Sequence, residues 1–112
     1  MQEGVMKMKA LRLEGLIGVA EVNIENTLEA LQRAVCGYIE CLPLIPDRAV
    51  MIVNEEGRLR GMAPNIAASR VAGMMIVGPA LIVGVDGEEF ADVPEDVVRL
   101  IKEKCSPEGA SE

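Results

Sequence analysis

The sequence predicts a single α+β domain: a mostly antiparallel sheet with two main helices and one short helix packed on it. Three observations lead there. The chain has 112 residues, which suits one compact core and leaves no room for two. Half of the residues are apolar and 26% are charged, the balance of a globular protein with material for a core. Segments with strand-like and helix-like apolar periods are interspersed, without the regular strand–helix–strand alternation of a parallel sheet. The domain is expected over residues 1–105, with residues 106–112 as a flexible acidic tail that has nothing to bury.

Residues 8–13 and 19–24 read as two strands around a turn holding Gly15 and Gly18. The second alternates, with Ala20, Val22 and Ile24 on one face and Glu21 and Asn23 on the other. A helix follows, with Asn26 as N-cap, Glu29 completing a capping box and Gly37 at the stop. Its apolar stripe is Leu28, Leu31 and Val35. Residues 38–42 form a short strand with Ile39 and Cys41 to one side and Tyr38 and Glu40 to the other, ended by Pro43 and Pro46.

Residues 49–53 are apolar on both faces, as a central strand requires. Asn54-Glu55-Glu56-Gly57 then reads as a hairpin turn into a returning strand over 58–62, with Leu59 opposite Arg58 and Arg60. Pro64 suits the first turn of a short helix that Gly73 ends. Residues 74–77 and 80–85 are expected as two buried strand segments separated by Gly78-Pro79. Asp92 with Glu95 reads as a second capping box, and Val93, Val97, Leu100 and Ile101 as the apolar face of a last helix to about Lys104.

Composition excludes much chemistry. There is no His and no Trp, with one Tyr and one Phe. Ser-His-Asp and Cys-His nucleophile pairs, a His general base and a His-ligated metal are therefore impossible. Cys36, Cys41 and Cys105 fit no zinc spacing and read as buried thiols of a reducing cytosol, packed as small apolar residues. Neither a metal nor another cofactor is expected, and no catalysis. Two aromatic rings do not make a platform for single-stranded nucleic acid.

The net charge of −7 is uneven: residues 1–72 carry 8 basic and 9 acidic side chains, residues 73–112 carry 3 and 9. Such a potential repels phosphate backbones and anionic membranes, so direct nucleic-acid and membrane binding are not expected. The longest uncharged stretch, 71–85, is 15 residues, shorter than the ~20 of a membrane span. Residues 6–13 are broken by Lys7, Lys9 and Arg12 and form no secretory signal core. A cytoplasmic protein is expected. Asp86, Glu88, Glu89 and Asp92 lie in a basic-free run, either a solvated loop leading to an acidic helix start or a surface for a basic host protein.

The polar residues that make a candidate site are Tyr38, Glu40, Asn54, Glu55, Arg58, Arg60, Asn65 and Arg70. Turn chemistry alone accounts for Asn54 and Glu55, and exposed arginines are ordinary on a hairpin strand. Together they offer an aromatic plane to stack on a ring, guanidinium forks for phosphate and amides to read a base edge. That is the equipment for a small anionic ligand bearing a base.

Cys36-Gly37-Tyr38-Ile39-Glu40, Val53-Asn54-Glu55-Glu56-Gly57-Arg58-Leu59-Arg60-Gly61, Pro64-Asn65 and the run 76–84 (IVGPALIVG) occur together in this order. In that combination, from about Met8 to about Ile101, the chain resembles the small bacterial, phage and mobile-element proteins of domain-of-unknown-function family 3846. The asparagine-acid-acid-glycine turn is the most specific part. Two positions depart: relatives usually have Gly-Gly where this chain has Cys36-Gly37, and Arg where it has Ile66 after Asn65.

The resemblance implies a mobile-element origin and brings no assigned activity. Two expectations follow. One is a non-catalytic homo-oligomeric sponge that sequesters a host nucleotide immune signal, its sites shared across symmetric subunit interfaces because a short chain has little room for a deep pocket. The other is an acidic inhibitor that presents the 86–96 segment to a host DNA-acting or defence enzyme.

Overall fold

The computed structural model describes residues 6–106; of the expected tail, all but Ser106 lies outside the described residues. The architecture is α+β. A hairpin of β1 (Lys7–Glu14) and β2 (Gly18–Glu25) opens the chain, its register running from Lys7 opposite Glu25 to Glu14 opposite Gly18 without a slip. Then come α1 (Leu28–Val35), β3 (Ile39–Ile45), β4 (Ala49–Asn54), α2 (Ile66–Ala72), β5 (Ala80–Asp86), β6 (Glu89–Ala91) and α3 (Glu95–Lys104). All pairings are antiparallel, in the order β2-β1-β5-β4-β3, with β6 returning on β5.

The sheet has helices on both faces. Alternation along β1, β4 and β5 sends Met8, Ala10, Ile52, Leu81 and Val83 to one side, where Leu31 and Val35 of α1 cover them. Leu11, Leu13, Met51, Val53 and Ile82 point to the other side, against Ala67 and Ala68 of α2 and Val97, Val98 and Ile101 of α3. The near-continuous apolar runs of β4 and β5 are what a strand covered on both faces needs. Gly84 lets the chain fold back closely: a Cβ there would stand 2.1 Å from the Asp92 carbonyl oxygen, where the β6–α3 connection crosses β5.

Several expected boundaries move, each for a physical reason. The N-cap of α1 is Thr27, whose hydroxyl accepts from the Ala30 N–H at 3.2 Å. Asn26 instead donates its side-chain amide to the Phe90 carbonyl, tying α1 to β6. Helix α1 closes at Cys36, which takes the left-handed conformation (φ 68°) one residue before Gly37. Leu28 is 55% exposed and does not join the core stripe, which Ala30 completes. Strand β3 runs through Pro43 to Ile45 because it is an edge strand, where a missing N–H on the solvent side costs no ladder bond; the register shifts between Pro43 and Ile45.

The returning strand over 58–62 does not form. Both edges of β4 are already taken by β3 and β5, so a hairpin partner has no place to pair. Residues 55–61 coil into overlapping turns, with Arg60 N–H bonded to the Glu56 carbonyl and Met62 N–H to the Gly57 carbonyl. Residues 74–77 likewise make no strand; Val77 forms one isolated bridge with Pro64, and Pro64 precedes the Asn65 N-cap of α2 rather than lying in its first turn.

The second capping box is also not local. Pro94 stands at the N-cap of α3, while Asp92 accepts from the Lys9 N–H at 2.8 Å and Glu95 from the Lys9 ammonium at 2.7 Å. Both carboxylates fasten α3 to β1 across 80-odd residues of chain instead of capping the helix between them. Leu100, expected in the apolar face, is exposed, and Val98 takes its place.

Candidate functional site

Six of the eight polar residues singled out from the sequence, all but Asn65 and Arg70, come from the end of the sheet farthest from β2, where the 55–61 turns rise from β4 beside the start of β3. The turns are held from below by Asn54, the last residue of β4. Its buried side chain donates to the Val35 carbonyl at 2.9 Å and accepts from the Glu56 N–H at 2.7 Å. The Glu55 N–H bonds the Tyr38 carbonyl at 2.8 Å. Gly37 makes room for this joint: a Cβ there would lie 2.7 Å from the Asn54 amide nitrogen and 2.9 Å from the Arg60 guanidinium. Asn54 is thus used up by backbone, since a buried amide left without partners costs about 1–3 kcal/mol.

Between the turns and the 74–77 loop lies a groove of 250 Å³, with Glu40, Glu55 and Arg58 as its charged rim and Val53, Ile76 and Leu42 in its floor. The Arg58 guanidinium donates to the Met75 carbonyl at 2.9 Å and so spans the groove. Leu59 is 89% exposed, and Met74 and Met75 are 52% and 53% exposed, all on the same rim. Gly57 sits tight against Val77, with a would-be Cβ 2.9 Å from a Val77 methyl, so turn and loop are packed together at the groove's base.

The structure therefore brings Glu40, Asn54, Glu55 and Arg58 to one groove and takes the others elsewhere. Arg60 turns away from Arg58 and donates to the Cys36 carbonyl, so the two arginines do not share a strand face. Tyr38 is exposed but does not line the groove. Asn65 is 3% exposed and fully occupied: it donates to the Leu13 and Gly78 carbonyls, both at 2.8 Å, and caps the Ala68 N–H at 3.0 Å. It borders a second hollow of 320 Å³, walled by Glu14, Gly15, Met62 and Pro79. Arg70 is on α2, near enough to Cys105 for its charge to favour the thiolate, although burial dominates and pushes that thiol up.

The acidic segment divides in two. Asp92 and Glu95 hold Lys9, and Asp96 makes a two-pronged bond with Arg48 at 2.7 and 2.9 Å, which holds the Asp96 carboxyl below its ordinary range. Asp86, Glu88 and Glu89 stay exposed on the β5–β6 hairpin, with Asp86 directly opposite Glu89. Of the three thiols expected to be buried only Cys105 is; Cys36 is exposed at the C-cap of α1 and Cys41 on the edge strand β3, where partial burial, then the Glu40 charge, pushes the Cys41 thiol up.

What sequence reasoning missed is the apolar rim. Met74 and Met75 open a run of uncharged residues that reads as buried strand, and the expected strand over 58–62, which would give Leu59 a face to pack on, does not form. The available signal was Gly73, a helix stop that releases the chain at the surface.

No helix among the described residues is long and apolar enough to cross a membrane. No curated protein and no solved structure matches the chain. The family described as "Domain of unknown function (DUF3846)" matches residues 8–106, which takes in every element from β2 to α3 and all but the first residue of β1. The chain belongs to that family.

Proposed function

We propose that the protein is a non-catalytic binding protein of the bacterial cytoplasm that sequesters a small base-bearing nucleotide, with the groove between the 55–61 turns and the 74–77 loop as its binding surface. One observation carries the reading: a guanidinium, two carboxylates and two exposed thioethers converge on that groove. Arg58 offers a fork to one phosphate, Glu40 and Glu55 accept from the N–H edge of a base, and Met74 and Met75 supply a polarizable wall for its face. With two acids against one base, the groove favours a ligand with few phosphates. Binding and retention, without a nucleophile–base pair beside the ligand, suit a sponge for a host immune signal of the kind that a mobile element has reason to withdraw.

The test is native mass spectrometry of protein purified gently from bacterial cells, followed by titration with cyclic dinucleotides, cyclic oligonucleotides and ADP-ribose-type signals. A retained nucleotide-sized mass, lost in Arg58→Glu, supports the reading. Absence of micromolar affinity for every one of these probes overturns it.

The second reading, an acidic inhibitor of a basic host enzyme, draws on the β5–β6 hairpin. Like charges directly opposite on neighbouring strands destabilise a sheet, yet Asp86 faces Glu89 there, with Glu88 beside them. Changing Asp86, Glu88 and Glu89 together to Lys abolishes inhibition under this reading and leaves nucleotide retention intact under the first.

A further inference from the structure

We infer that the outer edge of β2 pairs antiparallel with the β2 of a second copy, joining two sheets into one. Among the described residues the sheet leaves three strand edges free, and they are not alike. β3 is blunted by Pro43 and its register shift, and β6 has only three residues. β2 offers eight residues with no Pro, Lys, Arg or bulge, and among the described residues it pairs with β1 alone.

Two observations fix which backbone groups face outward. Asn26 N–H bonds the Met6 carbonyl at 2.7 Å, so the even residues of β2 turn their N–H and C=O groups to β1. On β1, Lys9 directs its own N–H and C=O to Asp92 and Val93, away from β2, which sets the same phase. Val19, Glu21, Asn23 and Glu25 therefore present the unpaired groups.

Charge selects the register. A two-fold axis through the sheet sets residues of one face opposite each other, so the axis passes through a residue. Centred on Glu21 it opposes two copies of that carboxylate; centred on Asn23 it opposes Glu21 to Glu25. Centred on Val22 it places Glu21 against Asn23, Ala20 against Ile24 and Val22 against itself, with no like charges opposed. The outward groups then form about eight backbone hydrogen bonds. Val22, half-buried at the margin of the α1 face, meets its counterpart there, and half-buried Ile24 meets Ala20 of the second copy. Glu21 is held to the opposite face by its ion pair with Lys102 and does not obstruct this contact. The two nucleotide grooves fall at the far ends of the joined sheet, each built by one chain, so this pairing does not supply a groove shared between subunits.

Sedimentation velocity over a micromolar concentration range tests the pairing on the full chain, with circular dichroism to show that each variant is folded. The wild type is expected as a dimer. Asn23→Glu sets two pairs of carboxylates face to face and weakens it about tenfold, whereas Asn23→Lys sets Lys against Glu and retains or tightens it. Both variants dimerising like the wild type would place the interface elsewhere and overturn the inference. Weakening by both overturns the register in favour of one centred on Asn23. A wild type that stays monomeric at every concentration overturns it outright.

Discussion

Replacing Asn65 with Ala removes three hydrogen bonds in one step: two donated to the Leu13 and Gly78 carbonyls and one accepted from the Ala68 N–H. At about 1 kcal/mol net for each, the loss comes to about 3 kcal/mol. A domain of this size has about 5–15 kcal/mol in total, so the variant folds but its midpoint drops by roughly 12–20 °C. Far-UV circular dichroism is the assay, in thermal melts for the midpoint and in urea for the free energy, because the chain has no Trp to report by fluorescence. Asn65→Asp is the control that separates the terms. It keeps an acceptor for Ala68 at the start of α2, where a negative charge is favourable, but turns a carboxylate oxygen toward the two carbonyls that the amide nitrogen now serves. The Asp variant should be no more stable than the Ala variant. A loss under about 1 kcal/mol in Asn65→Ala, or an Asp variant close to wild type, refutes the reasoning: the first would mean that the bonds carry little, the second that capping alone matters.

Cys36→Gly should stabilise the protein by about 0.5–1 kcal/mol in the same urea assay: the left-handed conformation costs a side chain about 1–2 kcal/mol, less the added freedom of an unfolded glycine. Acid should destabilise the fold. Glu21 and Asp96 are held below their ordinary 4.5 and 3.8 by Lys102 and Arg48, so their stabilising effect is present above those values and is lost as pH falls through the lowered ones; Glu21→Gln with Asp96→Asn should flatten that acid limb in pH-dependent melts. Alkylation followed by mass spectrometry should modify Cys36 first, Cys41 more slowly because burial and Glu40 suppress its thiolate, and Cys105 only on unfolding.

Strand periodicity carried most of the fold. β1, β2, β4 and β5 lie where their alternation or continuous apolar character put them, because side-chain direction in a strand is a local property that tertiary contacts do not override. The errors cluster where a local signal has two structural outlets. Asn26, Asp92 and Glu95 have the spacing of helix caps, yet their side chains bond the Phe90 carbonyl and both nitrogens of Lys9, partners brought near only by the completed sheet. The expected strand at 58–62 failed for a topological reason that no window of sequence contains: β5, some twenty residues further on, already occupies the edge of β4 that a hairpin would need.

The candidate site was harder to read for a related reason. An Asn or Arg in a sequence advertises hydrogen-bonding capacity, and the fold decides how much of it the backbone consumes. Asn54 and Asn65 give theirs to carbonyls and turn N–H groups, and no buried side-chain nitrogen or oxygen among the described residues lacks a partner. Under the proposed binding role, recognition falls to groups held in place by these residues rather than to the residues themselves. Asn54 sets the turn from which Glu55 and Arg58 project, and Asn65 anchors the start of the α2 segment that ends at Gly73 and releases Met74 and Met75 to the surface. The same logic explains why the most specific stretch of the family resemblance, Asn54-Glu55-Glu56-Gly57, is only half polar rim: Asn54 and Gly57 build the groove, against Val35 and Val77, and Glu55 lines it.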